Sequence, residues 1–170
     1  MKILLILIIL CLNAAVLLGQ EKKELYDPSV DGIKQLNEAI DKARNEKKHV
    51  LVQVGGNWCP WCIRFNKFCT ETPTVDSILK ANYIVIHLNF SNENKNLPAL
   101  EKLGYPQRFG FPVFVVLNGK GERLHTQDSG LLEKEKSYDT TKVVTFLKNW
   151  TPEAVDPENY KPADETNHQQ

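Results

Sequence analysis

Apolar residues in this chain change their spacing from one segment to the next, and each spacing predicts an element. Ile33, Leu36, Ile40 and Ala43 fall on one helical stripe and Asp31 stands ready to cap it, which predicts a helix over residues 32–45. His49-Val50-Leu51-Val52-Gln53-Val54 is a short run of β-formers closed by Gly55-Gly56-Asn57, the pattern of a buried strand and a tight turn. A helix is expected from near Cys59 to about Phe68, followed by the interruption Thr72-Pro73 and a short helical turn over residues 74–81. Tyr83-Ile84-Val85-Ile86-His87-Leu88 reads as a second strand, residues 97–103 as a helix ended by Gly104 and Pro106, and Val113-Phe114-Val115-Val116-Leu117 as a third strand. Asn118-Gly119-Lys120-Gly121 signals a hairpin into a strand over residues 122–126. A last helix over 140–150 turns Val143, Val144 and Leu147 inward.

The order strand, helix, strand, helix, strand, strand, helix needs a crossover, and so parallel pairing, in its first part; the hairpin adds antiparallel pairing. The expected class is α/β, a mixed central sheet of about four to five strands with helices on both faces.

The ends of the chain follow other rules. Met1-Lys2 supplies a positive charge, residues 3–18 are apolar except for Asn13, and Leu17-Leu18-Gly19 places a small residue before Gln20. This is the pattern of a cleaved signal peptide over 1–19, and the apolar run falls short of the roughly 20 residues that span a bilayer. Cys11 follows Leu10, which is too bulky for a lipoprotein signal. Residues 20–30 read as a polar tether, 31–150 as one domain, and 151–170, rich in Pro, Glu, Asp and Asn, as a disordered tail. With 170 residues, 42% of them hydrophobic, the chain can bury a single core. Lys plus Arg and Asp plus Glu number 21 each, so no bulk field draws nucleic acid or an anionic membrane surface.

Of the four cysteines, Cys11 leaves with the signal; an odd set of Cys59, Cys62 and Cys69 remains, unlike a disulfide scaffold. Trp58-Cys59-Pro60-Trp61-Cys62 places both thiols of a Cys-x-x-Cys in the first turn of the expected helix. Unpaired N–H groups and the helix dipole stabilise a thiolate there, and the thiolate is the nucleophile of disulfide exchange. Cys69 lies about two turns and ~10.5 Å further along a continuous helix, too far for a direct bridge, and reads as a small core residue.

This order of elements, with Trp-Cys-x-x-Cys after the first core strand and Gly110-Phe111-Pro112 before the third, resembles the thioredoxin superfamily over roughly residues 31–150. The resemblance implies a thioredoxin-like fold and a thiol–disulfide oxidoreductase that needs no cofactor. It makes Cys59 the exposed nucleophile and Cys62 the resolving thiol. It also makes Pro112 a cis-proline that exposes the Phe111 backbone to a substrate chain, and Trp58 part of the docking surface. Pro60-Trp61 replaces the Gly-Pro of reducing thioredoxins, with Trp61 on the rim. Gln53 stands where the family keeps a buried acid, and His87 where a lysine faces it. A Gln53–His87 polar pair beneath Cys62, with His87 as an optional base or a purely structural histidine, is the expectation. Lys67 takes about the place of the family's mid-helix proline, which puts the kink in doubt.

Two rivals stand beside this reading. Structural zinc asks for four ligands, but His49, His87, His125 and His168 are scattered and there is no second Cys-x-x-Cys, so no metal is expected. A non-catalytic partner-binding module would use Trp61, Tyr105, Phe109 and Phe111 as an apolar patch. Asn89-Phe90-Ser91 and Asn149-Trp150-Thr151 match a glycosylation acceptor, the first by chance at a buried strand end. The last residues do not match an endoplasmic-reticulum retention signal. The expectation is therefore an exported monomer, periplasmic first and extracellular second. It would act on protein disulfides or dithiols as a reductase fed by a membrane electron donor, with oxidase or isomerase as the alternative direction. Nucleic acid is not an expected partner.

Overall fold

In the computed structural model, residues 24–161 are described. The expected signal peptide, residues 20–23 of the tether and residues 162–170 of the tail lie outside the described residues.

Helix α1, Gly32–Glu46, starts where the Asp31 side chain accepts a hydrogen bond from the Lys34 N–H at 3.0 Å. It ends at Lys47, whose left-handed φ of 54° turns its N–H onto the carbonyls of Ala43 and Arg44. Strand β1, His49–Gly55, is buried at every residue, as a central strand must be. The chain continues through α2, Pro60–Glu71; α3, Pro73–Asn82; β2, Tyr83–Asn89; and α4, Leu97–Lys102. After a 3-10 turn, Pro106–Phe109, come β3, Val113–Leu117, and β4, Arg123–Asp128; a two-stranded ribbon, β5, Glu133–Lys134, with β6, Ser137–Tyr138; and α5, Thr140–Asn149.

The main sheet is four-stranded in the order β2-β1-β3-β4. β1 pairs parallel with β2 and antiparallel with β3, and β3 antiparallel with β4. Side chains alternate across β1. Val50, Val52 and Val54 meet Leu36, Ile40 and Ala43 of α1 and Leu100 of α4 on one face. Leu51 points the other way, into a core with Phe65, Val75, Leu79, Phe114, Val143 and Leu147 from α2, α3, β3 and α5. Each fully buried Leu or Phe contributes about 1.5–3 kcal/mol, so both faces are firmly covered. The expected mixed sheet between two helical layers is the observed architecture.

Several local expectations shift. The short turn expected at 74–81 is a ten-residue helix, because Pro73 occupies the first helical position, where no N–H is needed. The β5–β6 ribbon was not anticipated. The tether is not free: Tyr26 is fully buried. The tail, as far as it is described, forms turns and a 3-10 helix, Pro157–Tyr160, tied by Asn159 Nδ2 to the Glu153 carbonyl at 2.7 Å. Local hydrogen bonds of Asx and Ser/Thr type hold such a segment without a core of its own. No helix among the described residues is long and apolar enough to cross a membrane.

The topology fixes where chemistry can happen. β1 ends at Gly55 and β3 begins at Val113, which pairs with Val54 in the antiparallel register. The turn carrying Cys59 and the segment carrying Pro112 therefore meet at the same end of the sheet.

Candidate active site

Cys59 is the N-cap of α2, extended at φ −96° and ψ 103°, and its sulfur accepts a hydrogen bond from the Cys62 N–H at 3.2 Å. Pro60 sits in the first helical turn, where its missing N–H costs nothing. The helix turn brings the two Cα atoms to 5.3 Å, and Cys59 and Cys62 are joined in a disulfide. Phe111–Pro112 is a cis peptide bond.

The cysteines are less accessible than the resemblance implies. Cys59 is 4% exposed and Cys62 0%, so Cys59 is not the exposed sulfur that was expected. Leu25, Tyr26, Trp61 and Phe111 pack around them. Two of these residues come from the segment read as a tether, which is why the sequence overstated exposure.

The aromatic surround divides into an outer and an inner part. Trp58 is 55% exposed, with its indole N–H donating to the Phe90 carbonyl at 2.7 Å. It meets Phe111 edge-on at 5.3 Å, and Phe111 stacks on Phe90 at 4.9 Å. Trp61 is half-buried instead of standing free on the rim: it meets Tyr138 edge-on at 5.5 Å and carries the Arg64 guanidinium over its ring at 4.5 Å. The Tyr138 hydroxyl donates to the Trp61 carbonyl at 3.1 Å. Tyr105 and Phe109 are exposed on the 3-10 segment, with Arg108 over the Phe109 ring.

Beneath the disulfide the polar pairing differs from expectation. Gln53 donates through Nε2 to the Tyr26 hydroxyl at 2.6 Å and to the Cys62 carbonyl at 3.0 Å. The expected Gln53–His87 hydrogen bond is not among these contacts, although the two residues are register partners on β1 and β2. Tyr26 has taken the amide, and its ring stands edge-on to the His87 ring at 5.5 Å. Burial pushes the His87 imidazole down to about 4, so it is neutral near pH 7 and a poor proton acceptor.

Tyr26 and Asn57 are the residues that sequence reasoning missed. The Tyr26 N–H donates to Asn57 Oδ1 at 3.1 Å, and Asn57 Nδ2 donates back to the Tyr26 carbonyl at 2.7 Å. The same Nδ2 donates to the Glu24 carboxylate at 2.7 Å. This reciprocal pair clips the N-terminal segment to the turn before Cys59. The signal present in the sequence was small: an apolar pair, Leu25-Tyr26, before Asp27-Pro28.

Cys69 is free and buried on the inner face of α2, and burial pushes its thiol up to about 12. It borders a cavity of about 230 Å³ that Gln53, Phe65 and His87 also line. α2 runs through Lys67 as one helix. Among the described residues no group of three or more His, Cys, Asp or Glu converges as metal ligands. Asn89 is 3% exposed and spends its amide on Ser91 and the Asn94 carbonyl, a structural role.

Comparison with known proteins agrees with this geometry. The chain is similar in structure to a disulphide isomerase from Xylella fastidiosa Temecula1, with a TM-score of 0.67, 22% identity, and coverage of 76% of this chain and 98% of that one. It is also similar to a thioredoxin from Thermus thermophilus, with a TM-score of 0.53, 18% identity, and coverage of 82% and 98%. No curated protein matches the sequence. The family model described as thioredoxin-like matches residues 31–119. With more than half of its length matched and a Cys-x-x-Cys disulfide at the end of its central strand, the chain belongs to the thioredoxin-like family, as a thiol–disulfide oxidoreductase.

Proposed function

We propose that the protein reduces disulfides in other proteins, in an exported and periplasmic setting, through Cys59 and Cys62. One observation carries the direction. Both sulfurs are withdrawn from water, and among the described residues no side-chain cation hydrogen-bonds either of them. Burial penalises a thiolate and leaves a neutral disulfide untouched, so it favours the oxidised pair and makes the dithiol a ready electron source. The leader pattern of residues 1–19 supports export.

In the reaction, the reduced Cys59 sulfur, at the N-terminus of α2, faces the Cys62 N–H and the positive end of the helix, which stabilise its thiolate. It attacks a substrate disulfide; a Cys59–substrate bond forms and the departing substrate sulfur takes the electron pair. The Cys62 thiolate then attacks Cys59 Sγ, closes the ring and releases the second substrate sulfur. Two electrons pass to the substrate. The Phe111 backbone beside cis-Pro112 presents hydrogen-bonding groups to an extended substrate segment, and Trp58 and Phe111 offer it an apolar wall. A membrane electron donor returns the pair to the dithiol, and the protein acts as a monomer.

The N-cap geometry of Cys59 favours its thiolate and so pulls toward an oxidase or isomerase. The equilibrium potential of the Cys59–Cys62 couple, measured on the full chain against glutathione, separates the two. A value near about −270 mV supports the reductase; one near about −120 to −180 mV replaces it with the oxidising reading. A chain that forms no such disulfide in solution is a binding module instead.

A further inference from the structure

Tyr26 is fully buried against the redox pair, yet the exchange steps above give it nothing to do. Its environment defines a specific task. Gln53 Nε2 faces two oxygens, the Cys62 carbonyl at 3.0 Å and the Tyr26 hydroxyl at 2.6 Å. The carbonyl can only accept, so the amide nitrogen must lie on that side and the Tyr26 oxygen must accept as well. The Tyr26 hydrogen is then left to seek another acceptor. Cys62 Sγ borders the same spot, although no hydrogen bond joins the two in the disulfide form: a Cβ placed on Gly55 would collide with that sulfur and would stand 2.8 Å from the Tyr26 oxygen. With glycine at position 55, the sulfur and the phenol oxygen both border the place a side chain would take.

We propose that Tyr26 is a positioning residue of the exchange reaction: its hydroxyl, oriented by Gln53, turns its hydrogen to Cys62 Sγ and stabilises the resolving thiolate. The inference rests on the exchange reading given above. In the resolving step, Cys62 ionises and its sulfur attacks Cys59 Sγ. The Cys59–Cys62 bond forms as the Cys59–substrate bond breaks, and the substrate sulfur leaves with the electron pair. The proton lost by Cys62 returns, through solvent, to that leaving thiolate, so the net change is one dithiol oxidised and one disulfide reduced. A charged acceptor draws a stronger hydrogen bond than a disulfide sulfur, so the contact acts on the reduced and mixed-disulfide forms. Among the apolar residues packed against the pair, Tyr26 is the one that brings a hydroxyl.

The titratable and charged groups around the site are these: Cys59 and Arg64 on α2, the latter over Trp61; His87 of β2, edge-on to Tyr26; and Tyr138 of β6, on the Trp61 carbonyl. Glu24 is exposed and accepts from Asn57. Burial holds the Tyr26 phenol above its ordinary range and the His87 ring neutral, so neither changes charge while a thiol titrates.

The test follows the Cys62 Cβ resonance against pH in the full chain carrying Cys59→Ser, with and without Tyr26→Phe. The resonance is specific to Cys62, so Cys11 and Cys69 do not interfere. Tyr26→Phe keeps the ring and is expected to raise the midpoint by about one pH unit, a roughly tenfold weaker acid. The pH profile of mixed-disulfide resolution, measured with Cys59 restored, should move by the same amount. A merely structural role would lower the rate at every pH and leave the midpoint in place. Gln53→Met, which frees the hydroxyl from its orientation, should move the midpoint in the same direction and shrink the further effect of Tyr26→Phe. A Cys62 midpoint unchanged within about twofold in both single variants overturns the role of Tyr26. If instead the unsubstituted chain neither forms nor exchanges the disulfide, the functional reading fails while the Cys62 titration still judges this inference.

Discussion

His87 offers a stability test that separates a buried neutral histidine from a working base. In the folded protein the imidazole is pushed from 6.5 to about 4 by desolvation. The unfolded chain therefore binds one proton more than the native state between these values, and stability falls as pH drops through that window. The sign is fixed by the depressed native value: the contribution is complete above pH 6.5 and is lost toward pH 4. The full shift corresponds to about 3 kcal/mol. Part of the ring still meets solvent along the cavity it lines, so about 2 kcal/mol is the expected loss between pH 7 and pH 4.5. The perturbation is His87→Asn, which removes the titration. Urea unfolding of both chains at the two pH values gives a double difference. The constant cost of the substitution, the depressed His49 and the surface carboxylates cancel in it. Wild type should lose about 2 kcal/mol more than His87→Asn on acidification. Equal losses within about 0.5 kcal/mol would refute the reasoning and return His87 to the list of candidate bases.

Three further outcomes are expected. Cys59→Ser should abolish turnover of a model disulfide, and retention of activity would remove Cys59 from the reaction. Gly55→Ala introduces a Cβ against Cys62 Sγ and the Tyr26 hydroxyl; a destabilisation of about 1–3 kcal/mol is expected in thermal unfolding of the oxidised protein, and an unchanged midpoint would contradict the packing. Native Cys69 should resist alkylation at pH 8 and react once urea unfolds the chain, because burial both blocks the thiol and raises it to about 12; rapid native labelling would show that α2 opens.

The parts of this protein legible from sequence were those with local physical causes. Asp31 announces the start of α1 because its side chain serves an N–H three residues away. Asn118-Gly119 announces the β3–β4 connection through its turn chemistry, and the Cys-x-x-Cys sits where a run of β-formers gives way to a helix. The cis bond before Val113 was reached by resemblance, since no local pattern distinguishes Phe111-Pro112 from an ordinary strand start. What escaped depends on distant partners. Tyr26 looks like one aromatic in a polar stretch until Gln53, which is 27 positions away, and Asn57, which is 31 away, are folded against it. The same contacts explain why Cys59 was expected to be exposed and why Gln53 was paired with the wrong neighbour. The β5–β6 ribbon was invisible for a different reason: two-residue strands around a left-handed Glu135 carry no periodicity to detect.

The clip between Asn57 and Tyr26 bears on where this protein can be cut. The family match begins at Asp31, and a truncated chain started there would keep every strand of the main sheet and every helix among the described residues. It would lose the phenol that holds the Gln53 amide, the chain segment that satisfies Asn57, and two of the residues that cover the disulfide. Such a fragment should fold and still oxidise, but with a wetter pair and an unanchored Gln53, so its redox behaviour would differ from that of the protein it came from. For trimming by a protease, or for choosing an expression boundary, the residues that set the environment of the redox pair begin upstream of the family match.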